Sequence, residues 1–170
     1  FFEPAGVASA VPCPCECGCT HEVVCDSEGL LLGVCRCEAW RCDDLRLTPG
    51  DVRLWRLGLT RLARALCRAL GLRPPIAELG LPNTLQAGAW STAAFPVILT
   101  VPHSGVSLRA VIDHLVATLR QRFALLAPTG RCLDTTGRQT LAGVSAAFFP
   151  LENITILADN GSLHAAALPG

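Results

Sequence analysis

No lysine occurs among the 170 residues, and all fourteen Lys/Arg cations are arginine. With abundant Ala, Gly, Pro and Leu, this bias matches the coding of a GC-rich genome. Its chemical consequence is exclusion. A Walker A phosphate loop, a Schiff-base enzyme and a protein kinase each depend on a lysine amine. Methionine is absent too, so Phe1 is not an initiator, and the natural start is expected to have been removed or to lie upstream. Phe1-Phe2-Glu3 is not a basic stretch leading into a long apolar one, so no signal peptide is expected. No apolar run approaches the roughly 18–20 residues that span a bilayer, and no membrane partner is expected. Fourteen acids balance the fourteen cations, which removes any global pull toward nucleic acid and leaves only local patches to supply one. The hydrophobic fraction of 51% against 16% charged excludes a disordered chain. The length suits one ordinary domain with a small appendage.

What is present is unevenly placed. Eight of the ten cysteines fall between residues 13 and 42, while Cys67 and Cys132 stand alone. In "VPCPCECGC", Cys13, Cys15, Cys17 and Cys19 occupy every second position. Zinc holds sulfur at about 2.3 Å, so sulfurs sharing an ion lie under roughly 4 Å apart. Residues i and i+2 of an extended strand are nearly 7 Å apart, at ~3.3 Å per residue. The segment must therefore turn if its thiols are to share an ion, and Pro14 and Gly18 permit that. A second group, Cys35, Cys37 and Cys42, lies in "CRCEAWRC", and "HEVVCDSEGLLLGV" between the groups reads as strand, "DSEG" turn, strand.

Residues 13–42 resemble a zinc ribbon, in which two groups of closely spaced cysteines at turns flank a β-hairpin. "CPCECG" is similar to the ribbon knuckle, where Gly lets backbone N–H groups approach the sulfur. The resemblance implies four thiolate ligands for Zn2+, with Cys13, Cys17, Cys35 and Cys37 preferred. Ribbons use CxxC where this chain has CxC and CxxxC, so Cys15, Cys19 and Cys42 stand as alternative ligands, and a second metal is open. His21, beside Glu22 at the start of a strand, reads as a solvated side chain rather than a ligand. Two other readings of the cysteines remain: an iron–sulfur cluster, which spacing separates poorly from zinc, and a disulfide framework. The sequons at Asn153 and Asn160 would suit the latter in a secreted protein.

After this module, "LTPGDVRLW" reads as a helix start, with Thr48 as N-cap, Pro49 in the first turn and Asp51 completing a capping-box pattern. The helical pattern runs to Gly71, interrupted near Gly58. At ~100° per residue, Leu59, Leu62, Leu66 and Leu70 share one face, and Arg61, Arg64 and Arg68 line the other. With Arg53, Arg56 and Arg73 this gives six arginines and no acid between Asp51 and Glu78. Such a stripe can bind phosphates bidentately, and equally suits a solvated helix face. The aromatic interleaving of a single-strand binder is missing, although Trp40 and Trp55 flank the region. "GLRPPIAELGLP" reads as a linker.

From residue 84 the pattern is that of a small α/β domain. "FPVILTV" (95–101) and "FALLAPT" (123–129) read as strands buried on both faces. Helices are expected over 107–121, with Ser107 as a possible cap, and over 135–146. "TLQAGAWS" (84–91), "AFFPLE" (147–152) and "NITILA" (153–158) read as further strands, and "DNG" (159–161) turns a hairpin into "SLHAAAL". The expected fold is α/β: a parallel β-α-β-α-β sheet with a C-terminal edge hairpin, preceded by the zinc-ribbon-like module and a basic amphipathic helix. The expected boundaries are 1–47, 48–83 and 84–170. Ligands of parallel sheets sit at the carboxyl ends of strands, which singles out His103, Ser104, Thr129 and Arg131. No GxGxxG or GxSxG motif accompanies them.

The expected function is a zinc-stabilised binding or adaptor protein of the cytoplasm. Its expected partner is nucleic acid or a larger assembly, contacted through Arg53, Arg56, Arg61, Arg64 and Arg68. An α/β enzyme or nucleotide binder using the strand-end loops, and a secreted disulfide-rich protein, are the alternatives.

Overall fold

The structure, a computed structural model, describes residues 1–15, 17–37, 42–90 and 95–166. They form thirteen strands and four helices. The chain divides into two units, Phe2–Leu57 and Gly58–Gly170, with Phe1 grouped with the second. Trp40 and the end of "SLHAAAL" beyond Ala166 lie outside the described residues.

The first unit contains β1 (Phe2–Val7), β2 (Ala10–Pro12), β3 (Thr20–Cys25), β4 (Leu31–Cys35), β5 (Leu45–Leu47) and β6 (Arg53–Leu57). Strands β2 to β5 form an antiparallel sheet in chain order, and β1 pairs with β6 in a separate ribbon. The "DSEG" turn forms as the sequence suggests. Asp26 Oδ1 accepts the N–H groups of Glu28 at 2.9 Å and Leu30 at 2.8 Å, and Gly29 supplies the positive φ of 84°. This register places His21 opposite Cys35 and Val23 opposite Gly33.

The helix expected to open at Thr48 does not form there. The N–H and hydroxyl of Thr48 both donate to Asp51 Oδ2, at 2.8 and 2.7 Å. Asp51 N–H returns to the Thr48 carbonyl at 3.0 Å. The capping-box pattern therefore closes a single turn, and the Thr48 hydroxyl and N–H hold the Asp51 carboxyl below its ordinary range. Residues 53–57 continue as β6, because antiparallel pairing with β1 satisfies their backbone. Arg53 and Arg56 thus lie on a strand and not on the basic helix, with Arg56 opposite Glu3.

The second unit runs α1 (Leu59–Ala69), β7 (Ala77–Glu78), β8 (Thr84–Trp90), β9 (Phe95–Thr100), α2 (Gly105–Thr118), β10 (Ala124–Ala127), α3 (Thr135–Gly143), β11 (Ala147–Pro150), α4 (Leu151–Ile154), β12 (Thr155–Leu157) and β13 (Leu163–Ala165). Its sheet has the order β11-β10-β9-β8-β7. The expected β-α-β-α-β run is present: β9, β10 and β11 are parallel, joined through α2 and α3. Strands β8 and β7 add antiparallel members, so the sheet is mixed.

The apolar runs of β9 and β10 are continuous because both faces are covered. Val97, Leu99, Ala124 and Leu126 pack with Ala63 and Leu66 of α1. Ile98 and Leu125, with Phe123 just before β10, pack instead with Leu108, Ile112 and Leu115 of α2 and Leu141 of α3. Leu59, Leu62 and Leu70 also pack on the first cluster, which leaves Arg61, Arg64 and Arg68 exposed on the opposite side of α1. At the β8 bulge, Arg73 and Ala89 exchange backbone hydrogen bonds of 2.9 and 2.8 Å. A Cβ on Gly88, whose φ is +148°, would stand 2.7 Å from the Arg73 carbonyl oxygen.

Two further expectations shift. The cap of α2 is Ser104, not Ser107: Ser104 Oγ accepts the Ser107 N–H at 3.1 Å, and Ser107 Oγ accepts the Ser104 N–H at 3.2 Å. The hairpin at Asp159–Gly161 forms, but β12 and β13 make their own two-stranded ribbon rather than an edge of the main sheet. The single turn of α4 intervenes after Pro150 and takes the first two residues of the strand expected over 153–158, which forms only over Thr155–Leu157. Among the described residues no helix is long and apolar enough to cross a membrane.

Candidate metal centre

The loop between β2 and β3 carries the alternating cysteines. Cys13 N–H donates to the Cys19 carbonyl at 3.0 Å, closing the neck, and Gly18 turns the chain at a φ of +71°. The curl brings together thiols that an extended strand would hold apart. Successive sulfur separations are 3.0 Å for Cys13–Cys15, 2.9 Å for Cys15–Cys17 and 3.0 Å for Cys17–Cys19. From the second cysteine group, Cys42 Sγ lies 3.5 Å from both Cys15 and Cys17 and 3.6 Å from Cys19. Cys35 Sγ, at the end of β4, is 3.9 Å from Cys19 and 3.1 Å from Cys37. None of the ten cysteines is in a disulfide.

Seven sulfurs and one imidazole thus fall into three overlapping groups whose ligand atoms lie within 4.8 Å of one another. These are Cys13, Cys15, Cys17 and Cys42; Cys13, Cys19, His21 and Cys42; and Cys19, Cys35 and Cys37. Such groups could hold a metal ion. Sulfurs on one tetrahedral zinc, at about 2.3 Å each, are roughly 3.8 Å apart, and the separations of 3.5–3.9 Å involving Cys42 and Cys35 match that edge. The i, i+2 pairs are tighter and would open by less than about 1 Å around an ion of that size.

His21 departs most from its expected place. It is fully buried, at 0% exposure. Its Nδ1 lies 3.2 Å from the Gly33 carbonyl oxygen, and since a carbonyl only accepts, Nδ1 carries the proton. Nε2 is buried without a hydrogen-bond partner, on a ring whose nitrogen lies within reach of the Cys13, Cys19 and Cys42 sulfurs. Metal-bound histidines are held in this way, one ring nitrogen donating to a backbone carbonyl and the other facing the ion. Gly33 makes the room: a Cβ there would stand 3.2 Å from the His21 Cβ. The signal for His21 was in the sequence, since it extends the alternation Cys13, Cys15, Cys17, Cys19 by one more step.

The thiols share protons unequally. Hydrogen bonds from Cys15 and Cys19 draw the Cys17 thiol down to about 6, and Cys15 draws Cys13 down as well. Cys15, Cys19 and Cys42, as the donors, are pushed up. Burial lowers the His21 ring, but the Cys13 sulfur, the Gly33 carbonyl and the negative charge of Cys13 and Cys17 outweigh it, for a net rise. So many thiols in one place cannot all ionise without a cation to compensate them.

Of the four preferred ligands, Cys13 and Cys17 stand in one group and Cys35 and Cys37 in another, with Cys19 and Cys42 between. The strand-end residues are not gathered into one hollow. His103 lines a cleft of about 260 Å³ with Asn83 and His114. Arg131 lines a separate hollow of about 680 Å³ with Arg138 and Glu152. Ser104 is engaged in capping α2, and Thr129 Oγ1 accepts the Arg131 N–H at 3.4 Å. Asp134 caps α3 through Gly137 N–H and pairs with Arg109. No protein-family model, no curated protein and no solved structure matches the chain.

Proposed function

We propose that the chain is a zinc-stabilised binding protein, its first unit held together by a structural metal centre and its arginine faces serving to dock nucleic-acid phosphates. One observation carries the metal reading: the buried, unpartnered Nε2 of His21 beside the cysteine sulfurs. Leaving a buried polar nitrogen unsatisfied costs about 1–3 kcal/mol, and coordination removes that penalty. Thiolate and imidazole donors suit Zn2+, and a donor set with no oxygen ligand suits a closed structural site more than one open to substrate. That no disulfide joins the ten cysteines fits a reducing, cytoplasmic setting. The resemblance of residues 13–42 to a zinc ribbon agrees with this reading.

Docking is supported by Arg61, Arg64 and Arg68, exposed on the outer side of α1. On β6, Arg53 lies 5.8 Å over the ring of Trp55, which is 54% exposed. A guanidinium on an exposed indole offers both a phosphate contact and a stacking surface.

Elemental analysis of the full chain purified under reducing conditions should find stoichiometric zinc. Cobalt substitution should give the intense visible bands of a tetrahedral thiolate site. Absence of bound metal, with unchanged folding in strong chelator, would overturn the metal reading. Replacing Arg61, Arg64 and Arg68 together by Gln should abolish retention on a nucleic-acid column at low salt, and unchanged retention discards that face.

A further inference from the structure

The cluster offers eight donors, and we propose that it holds two ions with four ligands each. Cys13, Cys15, Cys17 and Cys42 surround one; Cys19, His21, Cys35 and Cys37 surround the other. This rests on the metal reading above and goes beyond it in number, partition and ligand type.

The partition follows from which donors have alternatives. Cys15 approaches Cys13, Cys17 and Cys42. Those four sulfurs lie within 4.8 Å of one another and make a complete tetrahedral set. At the other end, Cys35 approaches Cys19 and Cys37, and this trio lacks a fourth ligand. His21, which the distances group with Cys19 but not with the Cys35 and Cys37 pair, is the donor left to complete it once the trio closes on an ion. Its imidazole nitrogen is within 4.8 Å of Cys19 Sγ, and its ring is anchored by Gly33, which lies two residues before Cys35 on β4. Cys13 and Cys42 also reach His21, but they are already required by Cys15 and Cys17.

Two other arrangements fit less well. A single ion would strand four donors, three or more of them thiols packed about 3 Å from a neighbour. Two tetrahedral ions sharing a pair of bridging thiolates need six donors, and eight converge here. Four and four uses each donor once. The ions are of the borderline class that accepts both thiolate and imidazole, Zn2+ foremost.

The test uses the full chain reconstituted with zinc and, separately, with cadmium-113. Native mass spectrometry should find two zinc ions per chain. The cadmium-113 spectrum should show two resonances without cadmium–cadmium coupling. The more deshielded one belongs to a four-sulfur site, and only the other couples to the His21 ring protons. Cys15→Ser with Cys17→Ser should remove one ion and keep the histidine-coupled resonance. Cys35→Ser with Cys37→Ser should remove the other and keep the four-sulfur resonance. One ion in the unaltered chain overturns the pair while leaving the metal reading intact, and no ion overturns both. Three ions, coupling between two cadmium resonances, or a histidine-coupled resonance that survives loss of Cys35 and Cys37 overturns the partition. Where a double variant fails to fold, the stoichiometry and spectrum of the unaltered chain decide.

Discussion

The two units are held together by different means. The second buries two apolar clusters, one on each face of its sheet, with residues such as Leu66, Leu99, Leu115, Phe123 and Leu126 at 0–1% exposure. In the first, the buried apolar side chains among the described residues are Val11, Cys35 and Val52, and the buried polar one is His21. So small a core contributes little stability to a unit of that size, and short domains in this position commonly add metals or cross-links. Its interior is instead a cluster of thiols and one imidazole placed where they could hold a metal ion. The same chain thus contains a unit built on two apolar clusters and one whose centre is lined by possible metal ligands.

Chelation should split the two most sharply. Strong chelator under reducing conditions should unfold the first unit if the proposed centre holds zinc, because the binding free energy of structural zinc, on the order of 10 kcal/mol, would there be folding free energy. Hydrogen exchange would record loss of amide protection over 20–35 and its retention over 97–99 and 124–127. Protection lost equally in both would erase the distinction. In the opposite sense, Leu66→Ala should destabilise the second unit by about 2–5 kcal/mol, read by denaturant melting, with metal content unchanged. Ser104→Ala, which breaks the reciprocal cap of α2, should cost about 1 kcal/mol in the same assay.

The smallest effect concerns acid. The Gly137 N–H, and after it Arg109, hold the Asp134 carboxyl below its ordinary value. A depressed carboxyl stabilises the folded state above its unfolded pKa, and that contribution fades as pH falls through the folded one. Asp134→Asn should therefore flatten the loss of stability of the second unit below about pH 4 and leave its neutral-pH fold intact. An unchanged acid limb in urea titrations would remove Asp134 from the account.

The second unit was the more legible in sequence because burial on both faces writes itself as an uninterrupted apolar run. "FPVILTV" and "FALLAPT" could be read without knowing their neighbours. The first was legible as a gathering of cysteines but not as an arrangement. "RLWRL" fits a helical or an extended backbone equally, and only pairing with β1, far off in sequence, settles it as β6. The burial of His21 depends on the register of β3 against β4 and on the missing side chain of Gly33, neither of which leaves a local mark. The cap at Ser104 was missed by three positions because both members of a reciprocal serine pair look like caps.

The hydrogen bond from His21 to Gly33 has a consequence for how the hairpin finds its alignment. Side chains alternate across a strand, so sliding β3 by one residue would turn His21 toward the opposite face and bring Glu22 in its place. An imidazole would then be traded for a carboxylate beside the cluster thiols. A captured cation would penalise that slip, acting as a gauge that admits one alignment of the two strands and rejects its neighbours.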